Sequence, residues 1–490
     1  MKSARDISMY SRFPKLRTLP LAVALLFCQW GPFTYGGESA DADVALQRAV
    51  EARPSPRQLA WQAREMEAFF HFSLNTFIDS EGGSAPPSPR YFAPSQLNVK
   101  QWLDAAQSFG AKGIVLVCKH SDGFCLWPTR TTDYSVAASP WRDGKGDLVR
   151  EVSEECRRRQ LPFGVYLSPA DLHHRGYGKD PAEYGDYFIA QLKELLTDYG
   201  PIAEVWFDGF GAGRMHSHPW QKYYATIRHL QPDAVIVTRG PDVRWIGNES
   251  GIGREAEWSV VTLPEPPENW DWRDMTEPDL GSRRRLARGG FPVWYPAVAD
   301  VSLRRTWFWH ARAGFRPYTA DELLLIYEKS VGRNAGLLLN LSPDTRGLVA
   351  ESDLVTLSDF GKRLQGWFPK SQTNEVPGEW RPTGTNQWVF DLNFPHPIVA
   401  NTVVLREDIQ WGQRVEHFSI WSGTNQTGAR LLQGQTVGWK RILRLPTSAY
   451  SGLSIVVDEC RSEPHLSKPE FSFRRDLPAW EGVRPAGRKE

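Results

Sequence analysis

Cysteine is scarce in this chain: five in 490 residues, one of them at position 28 near the N-terminus. The other four, Cys118, Cys125, Cys156 and Cys460, follow no zinc-ligand spacing, and four in a chain of this length make no disulfide framework. Export would permit a bridge, but spacing does not say between which pair. Neither His-x-Glu nor Cys-x-x-Cys occurs, so no metal and no cofactor is expected. Net charge is nearly absent, 58 basic against 57 acidic residues, which speaks against a nucleic-acid partner. Long apolar runs are absent too. The apolar stretch 19–28 is too short to anchor in a bilayer, so no membrane span is expected in the mature chain.

That short stretch has its own meaning. Lys2, Arg5, Arg12, Lys15 and Arg17 precede it, and small polar residues follow from Gly36 to Ala40. A basic, then apolar, then small-residue order is that of a signal peptide. Residues 1–38 are therefore set apart from the fold, and a secreted or periplasmic protein is expected. Aromatics, by contrast, are plentiful: 21 Trp, 24 Phe and 15 Tyr. Most belong to a large core, but aromatic walls also suit the C–H faces of sugars.

From residue 68, apolar strands alternate with amphipathic helices. Strands are expected at 68–75, 113–118, 163–167, 202–207, 234–238, near 257–259, at 292–296 and at 336–340. Helices are expected at about 99–109, 147–159, 181–199, 219–230 and 319–331, the last opened by a Thr319/Glu322 capping box. Continuously apolar strands between helices mean a parallel sheet covered on both sides. Eight such units make an α/β fold, a (β/α)8 TIM-like barrel over residues 50–360, with chemistry at the strand C-terminal ends. Long site loops are expected between 240 and 290. After about residue 365 the helical period gives way to short alternating strands, 402–405, 417–421, 441–445 and 453–457. This predicts a β-sandwich at 370–462, followed by a polar tail at 463–490.

The strand ends deliver a mixed bowl. Val205-Trp206-Phe207-Asp208-Gly209 presents an acid after an apolar run, with glycines beyond it. Such an acid often caps the next element; here it is the candidate nucleophile. His71 leaves the first strand, Lys119, His120 and Asp122 the second, and Tyr166, Asp171, His173 and His174 the third. Arg239, Arg244, Trp245 and Glu249 follow the fifth. Histidines, aromatics and a few acids suit a neutral polyhydroxylated ligand. Two acids in different surroundings would hydrolyse a glycosidic bond. Glu249, flanked by Trp245 and Gly247, is the candidate proton donor, with Glu255 and Glu257 as rivals. His71 could instead be a hydrogen-bonded core histidine; its place at the strand exit favours a ligand contact.

Six blocks in order resemble glycoside hydrolase family 29, the retaining α-L-fucosidases. They run from Phe70 to Phe77, Lys119 to Pro128, Phe163 to Pro169, Glu204 to Gly209, Gly240 to Glu249 and Ser330 to Asn340. The resemblance implies that Asp208 is the nucleophile and that Glu249 is the general acid/base of the branch acting on α-1,3 and α-1,4 linkages. It also implies that His71 and His120 bind fucose hydroxyls. Glu81, Trp127, Tyr166, His174 and Arg244 complete the expected substrate contacts, and a fucosylated oligosaccharide or glycoconjugate is the expected partner. Residues 385–460 look like the discoidin-type sandwich that often follows such a barrel. Three positions depart from the family pattern: Ser121 where a second histidine is usual, Val298 where a glutamate is usual, and Gly82 where an aromatic follows Glu81. Altered substrate selection is expected from them. A weakly active or non-catalytic fucose-binding protein, or a barrel glycosidase of another sugar, are the alternatives.

Overall fold

A computed structural model describes residues 37–82, 88–208, 218–311, 316–367, 376–475 and 477. All but the last two residues of the expected signal peptide, and the glycine-rich tail after Asp208, lie outside the described residues. Among the described residues no helix is long and apolar enough to cross a membrane.

Eight parallel strands form the barrel, in spatial order β5-β4-β3-β2-β1-β10-β9-β6. They are β1 (Met66–Phe70), β2 (Ile114–Lys119), β3 (Phe163–Leu167), β4 (Glu204–Phe207), β5 (Val235–Thr238), β6 (Arg244–Trp245), β9 (Ala297–Ser302) and β10 (Ala335–Leu341). A parallel bridge between Val237 and Val243 closes the ring between β5 and β6. The side-chain period of two divides each strand between an inner and an outer face. Phe69, Val115, Val117, Tyr166, Trp206, Val235, Val237, Val298 and Leu338 fill the interior as one apolar cluster. Alternate residues such as Phe70, Leu116, Val165 and Val205 pack outward under the helices.

Local chemistry starts the helices where the sequence says. Asp147 caps Leu148–Arg158, accepting from the Arg150 amide. Asp180 and Pro181 open Pro181–Asp198. The Thr319/Glu322 capping box is present at the head of Ala320–Lys329.

Two of the expected barrel strands are corrected. Residues 257–259 form no strand, and the stretch around 292–296 is not in the barrel. Instead β7 (Val260–Leu263) and β8 (Phe291–Trp294) pair with each other as an antiparallel ribbon. The sixth and seventh barrel strands are β6 and β9. A ribbon strand packed on the barrel and a barrel strand carry the same short apolar run, so periodicity alone does not separate them. The first strand also stops at Phe70; Ser73 caps a short helix, Leu74–Ile78, through the Asn75 amide.

The C-terminal domain is one antiparallel sheet, ordered β11-β12-β15-β13-β14 with β16 on β12. Its strands are β11 (Arg381–Gly384), β12 (Gln387–Leu405), β13 (Val415–Ser422), β14 (Arg430–Gln435), β15 (Arg441–Cys460) and β16 (Glu470–Ser472). The short strands expected at 402–405, 441–445 and 453–457 are parts of two long ones. Their pairing breaks between Asn393 and Ile398, where Pro395 and Pro397 supply no amide donor. Both halves feed one core, Leu392 and Val403 among them. β16 lies inside the segment expected to be a polar tail, so the sheet reaches further than composition suggested.

The sheet is tied to the barrel by charges. Lys440 pairs with Glu65, Arg444 with Glu328 at 2.7 Å, and Arg441 with Glu255 at 2.6 Å. The Ser259 amide donates to Gln413 Oε1 at 2.6 Å.

Candidate active site

A cavity of about 560 Å³ opens at the C-terminal ends of the barrel strands. Phe69, His71, Glu81, Gly82, His120, Ser121, Tyr166, Trp206, Asp208, Thr238, Trp245, Glu249, Asp274, Asp300 and Trp307 surround it. Every barrel strand except β10 sends a side chain into its wall directly or through the loop it leads into.

Asp208 is the residue after β4, and Tyr166 on neighbouring β3 donates its hydroxyl to Asp208 Oδ2. Burial and the Asp208 charge hold the phenol well above its ordinary range, so it stays a donor. His120 stacks on Tyr166, ring planes 10° apart at 5.9 Å, and meets Phe308 edge-on at 5.2 Å. Its Nδ1 is 3.2 Å from the Ser121 hydroxyl.

His71 is 3% exposed, and its Nδ1 is 2.8 Å from Asn340 Oδ1. The amide orientation follows from its partners. Asn340 Nδ2 reaches the Trp307 carbonyl at 2.9 Å, and a carbonyl only accepts. Oδ1 therefore faces the histidine, which must donate from Nδ1. Burial and nearby His120 press the His71 pKa well below its usual value. The neutral ring so fixed presents Nε2 as a hydrogen-bond acceptor.

The acids of the opposite rim differ. Glu249, on the loop after β6, is exposed at the mouth. Its carboxyl is raised by partial burial and then by the Asp208 and Glu81 charges, against a hydrogen bond with Trp307. Asp300 on β9 is buried and pushed up to about 8, mainly by burial, while accepting from Trp245 Nε1 at 2.7 Å. Glu81 accepts from the Trp307 and Phe308 amides at 2.8 and 3.3 Å. His310 bridges Glu81 and Asp79 at 2.6 and 2.8 Å, clasping the loop after β1 to the loop after β9.

Comparison with known proteins decides the family. Residues 26–367 match the Alpha-L-fucosidase family model. The chain is 38% identical over 448 residues to Alpha-L-fucosidase 1 of Arabidopsis thaliana, covering 84% of this chain and 86% of that one. The chain belongs to the α-L-fucosidase family, glycoside hydrolase family 29. Among solved structures, a glycoside hydrolase 29 family member from an unknown rumen bacterium is 34% identical with a TM-score of 0.77, over 88% of this chain and 79% of that one. A Ruminococcus gnavus GH29 fucosidase in complex with fucose is 26% identical with a TM-score of 0.77, over 88% and 96%.

The protein is thus an α-L-fucosidase of the glycoside hydrolases, and its fucosidase cavity collects Asp208, Glu249, His71, Glu81, His120 and Tyr166 from the residues singled out by sequence. Three others do not line it. Trp127 is buried and donates Nε1 to Glu194 at 2.7 Å. His174 packs on Tyr187, ring centroids 4.1 Å apart, and its amide donates to Asp171. Arg244 is fully buried, pairs with Glu257 and donates to the Tyr295 carbonyl at 3.0 Å. With Val243 and Trp245 facing inward, Arg244 points to the outer side of its strand, where a buried guanidinium needs a counter-charge, and this takes it from the substrate. The rivals of Glu249 are spoken for as well: Glu257 by Arg244 and Arg254, Glu255 by Arg333 and Arg441.

Of the departures from the family pattern, Ser121 lines the fucosidase cavity, Val298 packs among the barrel's inner apolar residues, and Gly82 has φ of +118° beside His120. Sequence reasoning passed over Trp206, Thr238, Asp274, Asp300, Trp307 and Asn340 as site residues. Asn340 could have been found by the rule that found Asp208, a polar residue near the end of an apolar barrel strand. Asp274 sits in an irregular loop that carries no such signal.

Proposed function

We propose that this fucosidase is an exported exo-enzyme that removes terminal α-L-fucose with retention, through a covalent fucosyl intermediate on Asp208. The observation that carries the reading is the contrast between two carboxyls facing one cavity. Asp208 is oriented by the buried Tyr166 hydroxyl. Glu249 keeps its proton longer, because burial and the Asp208 and Glu81 charges oppose its ionisation. A fixed carboxylate beside a proton-retaining acid is the division of labour that double displacement needs.

In the first step Asp208 attacks the anomeric carbon while Glu249 gives its proton to the departing sugar oxygen. His71 accepts a fucose hydroxyl at Nε2, and His120 and Trp206 complete the wall. In the second step Glu249 takes a proton from water, which displaces Asp208 and releases fucose in its original configuration. Retention calls for the two carboxyl groups to stand about 5–5.5 Å apart in the closed site.

The Gly247-Asn248-Glu249 block supports α-1,3 and α-1,4 linkages of branched glycans as substrates. The basic-then-apolar N-terminus supports export to the periplasm or medium. N-terminal sequencing of exported protein should begin near residue 39; an intact Met1 on exported chains would contradict this. The C-terminal sheet is read as a discoidin-type module that braces the barrel through Lys440, Arg441 and Arg444.

Proton NMR of a defined fucosylated trisaccharide during hydrolysis tests the reading. α-L-Fucose should appear first and mutarotate later. β-L-Fucose as first product would overturn retention, and tight binding without turnover would make the protein a fucose-binding one.

A further inference from the structure

Three cavity-lining polar atoms are buried and have no hydrogen-bond partner among the described residues: Trp206 Nε1, Thr238 Oγ1 and Asp274 Oδ1. An unpaired buried polar group is costly, and native proteins keep few unless a ligand or water completes them. The three complement one another as donor, donor-acceptor and acceptor. They also adjoin: Trp206 and Thr238 lie on the paired strands β4 and β5, where Phe207 is in register with Thr238. Burial raises the Asp274 carboxyl above its ordinary value, Arg239, next to Thr238, opposes that rise, and the Asp208 charge adds to it.

Thr238 stands out for a second reason. Its φ is +72°, a left-handed conformation that a β-branched residue rarely adopts. The strain is held in place from several sides. The Thr238 amide donates to the Val243 carbonyl at 2.9 Å. Buried Tyr295 donates to the Gly240 carbonyl at 2.8 Å, and buried Tyr224 to the Arg239 carbonyl at 2.8 Å. A conformation so over-determined, at a cavity-lining residue whose hydroxyl has no partner among the described residues, is the mark of a position held for a ligand. Glycine would fill the turn without strain but would bring no hydroxyl.

Position around the ring says which part of the ligand is meant. His71, His120 and Tyr166 come from β1 to β3, on one side of Asp208. Thr238 comes from β5, between Asp208 after β4 and Glu249 after β6. The scissile oxygen must lie between those two acids, with the departing sugar beyond it. We infer that Thr238, with Asp274 beside it, binds a hydroxyl of the sugar from which fucose is removed, and so helps set which glycan is accepted. This rests on Asp208 and Glu249 being the catalytic pair.

The test compares wild type with Thr238→Val, Thr238→Ser and Thr238→Gly in two assays: kcat/KM on a fucosylated trisaccharide, and inhibition of that reaction by free L-fucose. Thr238→Val keeps the shape and loses the hydroxyl; its kcat/KM should fall about 10- to 100-fold. Fucose should inhibit it as it does wild type, because the fucose side is untouched. Thr238→Ser should stay within about threefold of wild type, its hydroxyl kept. Thr238→Gly should lose activity as valine does while its Tm does not drop, since the strained φ is relieved. Unchanged kcat/KM in the valine and glycine variants would overturn the proposal. An equal loss of fucose inhibition would overturn it too, moving the contact to the fucose side. Failure of the Asp208 and Glu249 assignment would show separately, as full activity in Asp208→Ala or Glu249→Gln.

Discussion

The β1–β3 side of the cavity and the β5–β6 side treat their polar atoms in opposite ways. On the first, His71 is bonded to Asn340, the Tyr166 hydroxyl to Asp208, and His120 lies between Tyr166, Phe308 and Ser121. On the second, Thr238 and Asp274 carry unpartnered atoms among the described residues, and Thr238 is strained. A wall whose groups are already oriented is complete before the ligand arrives, and loses little on binding. A wall with open valences is completed by the ligand, and discriminates against one that lacks the matching hydroxyl. The difference separates recognition of the sugar that is cleaved off from recognition of the sugar left behind.

Removing the group that both walls serve should have the largest effect. Asp208→Ala should lower kcat on a fucosylated trisaccharide by on the order of 10,000-fold or more, with the protein still folded by circular dichroism. Substantial residual turnover would break the comparison at its centre.

Glu249→Gln comes next, with a loss of about 100- to 10,000-fold. Its pH profile sharpens the point. A general acid must hold its proton, and the Glu249 carboxyl is raised in the folded protein, so wild-type activity should decline on the alkaline side as that proton leaves. In Glu249→Gln the residual rate should no longer show that decline. A profile of unchanged shape would assign the limb to another group.

On the preorganised side, Asn340→Leu frees His71 to take either tautomer and leaves its Nδ1 unpaired. Activity should fall about tenfold, with weaker inhibition by free fucose, in contrast to the Thr238 variants. An effect on the trisaccharide alone would blur the two walls into one.

The smallest effect is one of stability. Asp300 has a folded pKa of about 8 against an unfolded value near 3.9. Between those values the folded state keeps a proton that the unfolded state gives up, so rising pH costs stability across that window. Asp300→Asn carries no such proton and can still accept from Trp245. Its Tm relative to wild type should therefore rise from pH 4 to pH 7. A difference independent of pH would mean that Asp300 is ionised in the fold.

How far the sequence carried the site depended on the kind of element that holds each residue. Asp208, His71, His120 and Tyr166 sit at or just beyond the ends of apolar strands, and a strand end in a parallel barrel points to its mouth. Arg244 sits on a barrel strand too, but the acid it pairs with, Glu257, lies thirteen residues on in a region without period. Trp127 was implied only by its place in the Lys119–Pro128 block and serves Glu194. The stretches at and beside the β7–β8 ribbon were taken for two barrel strands because ribbon and barrel strands carry the same short apolar run. Val298 and Asp300 lie two apart on β9 yet one is in an apolar cluster and the other at the cavity; only the assembled barrel shows which height each occupies. Thr238's left-handed turn depends on Tyr224 and Tyr295, which are distant in sequence, so no local pattern announces it.

Azide rescue of Asp208→Gly tests the catalytic core of the account most directly. With the nucleophile removed and azide in its place, the account predicts restored turnover and a β-L-fucosyl azide as product, since azide would attack the face that Asp208 attacks. No rescue at high azide, or an α-L-fucosyl azide, would contradict it.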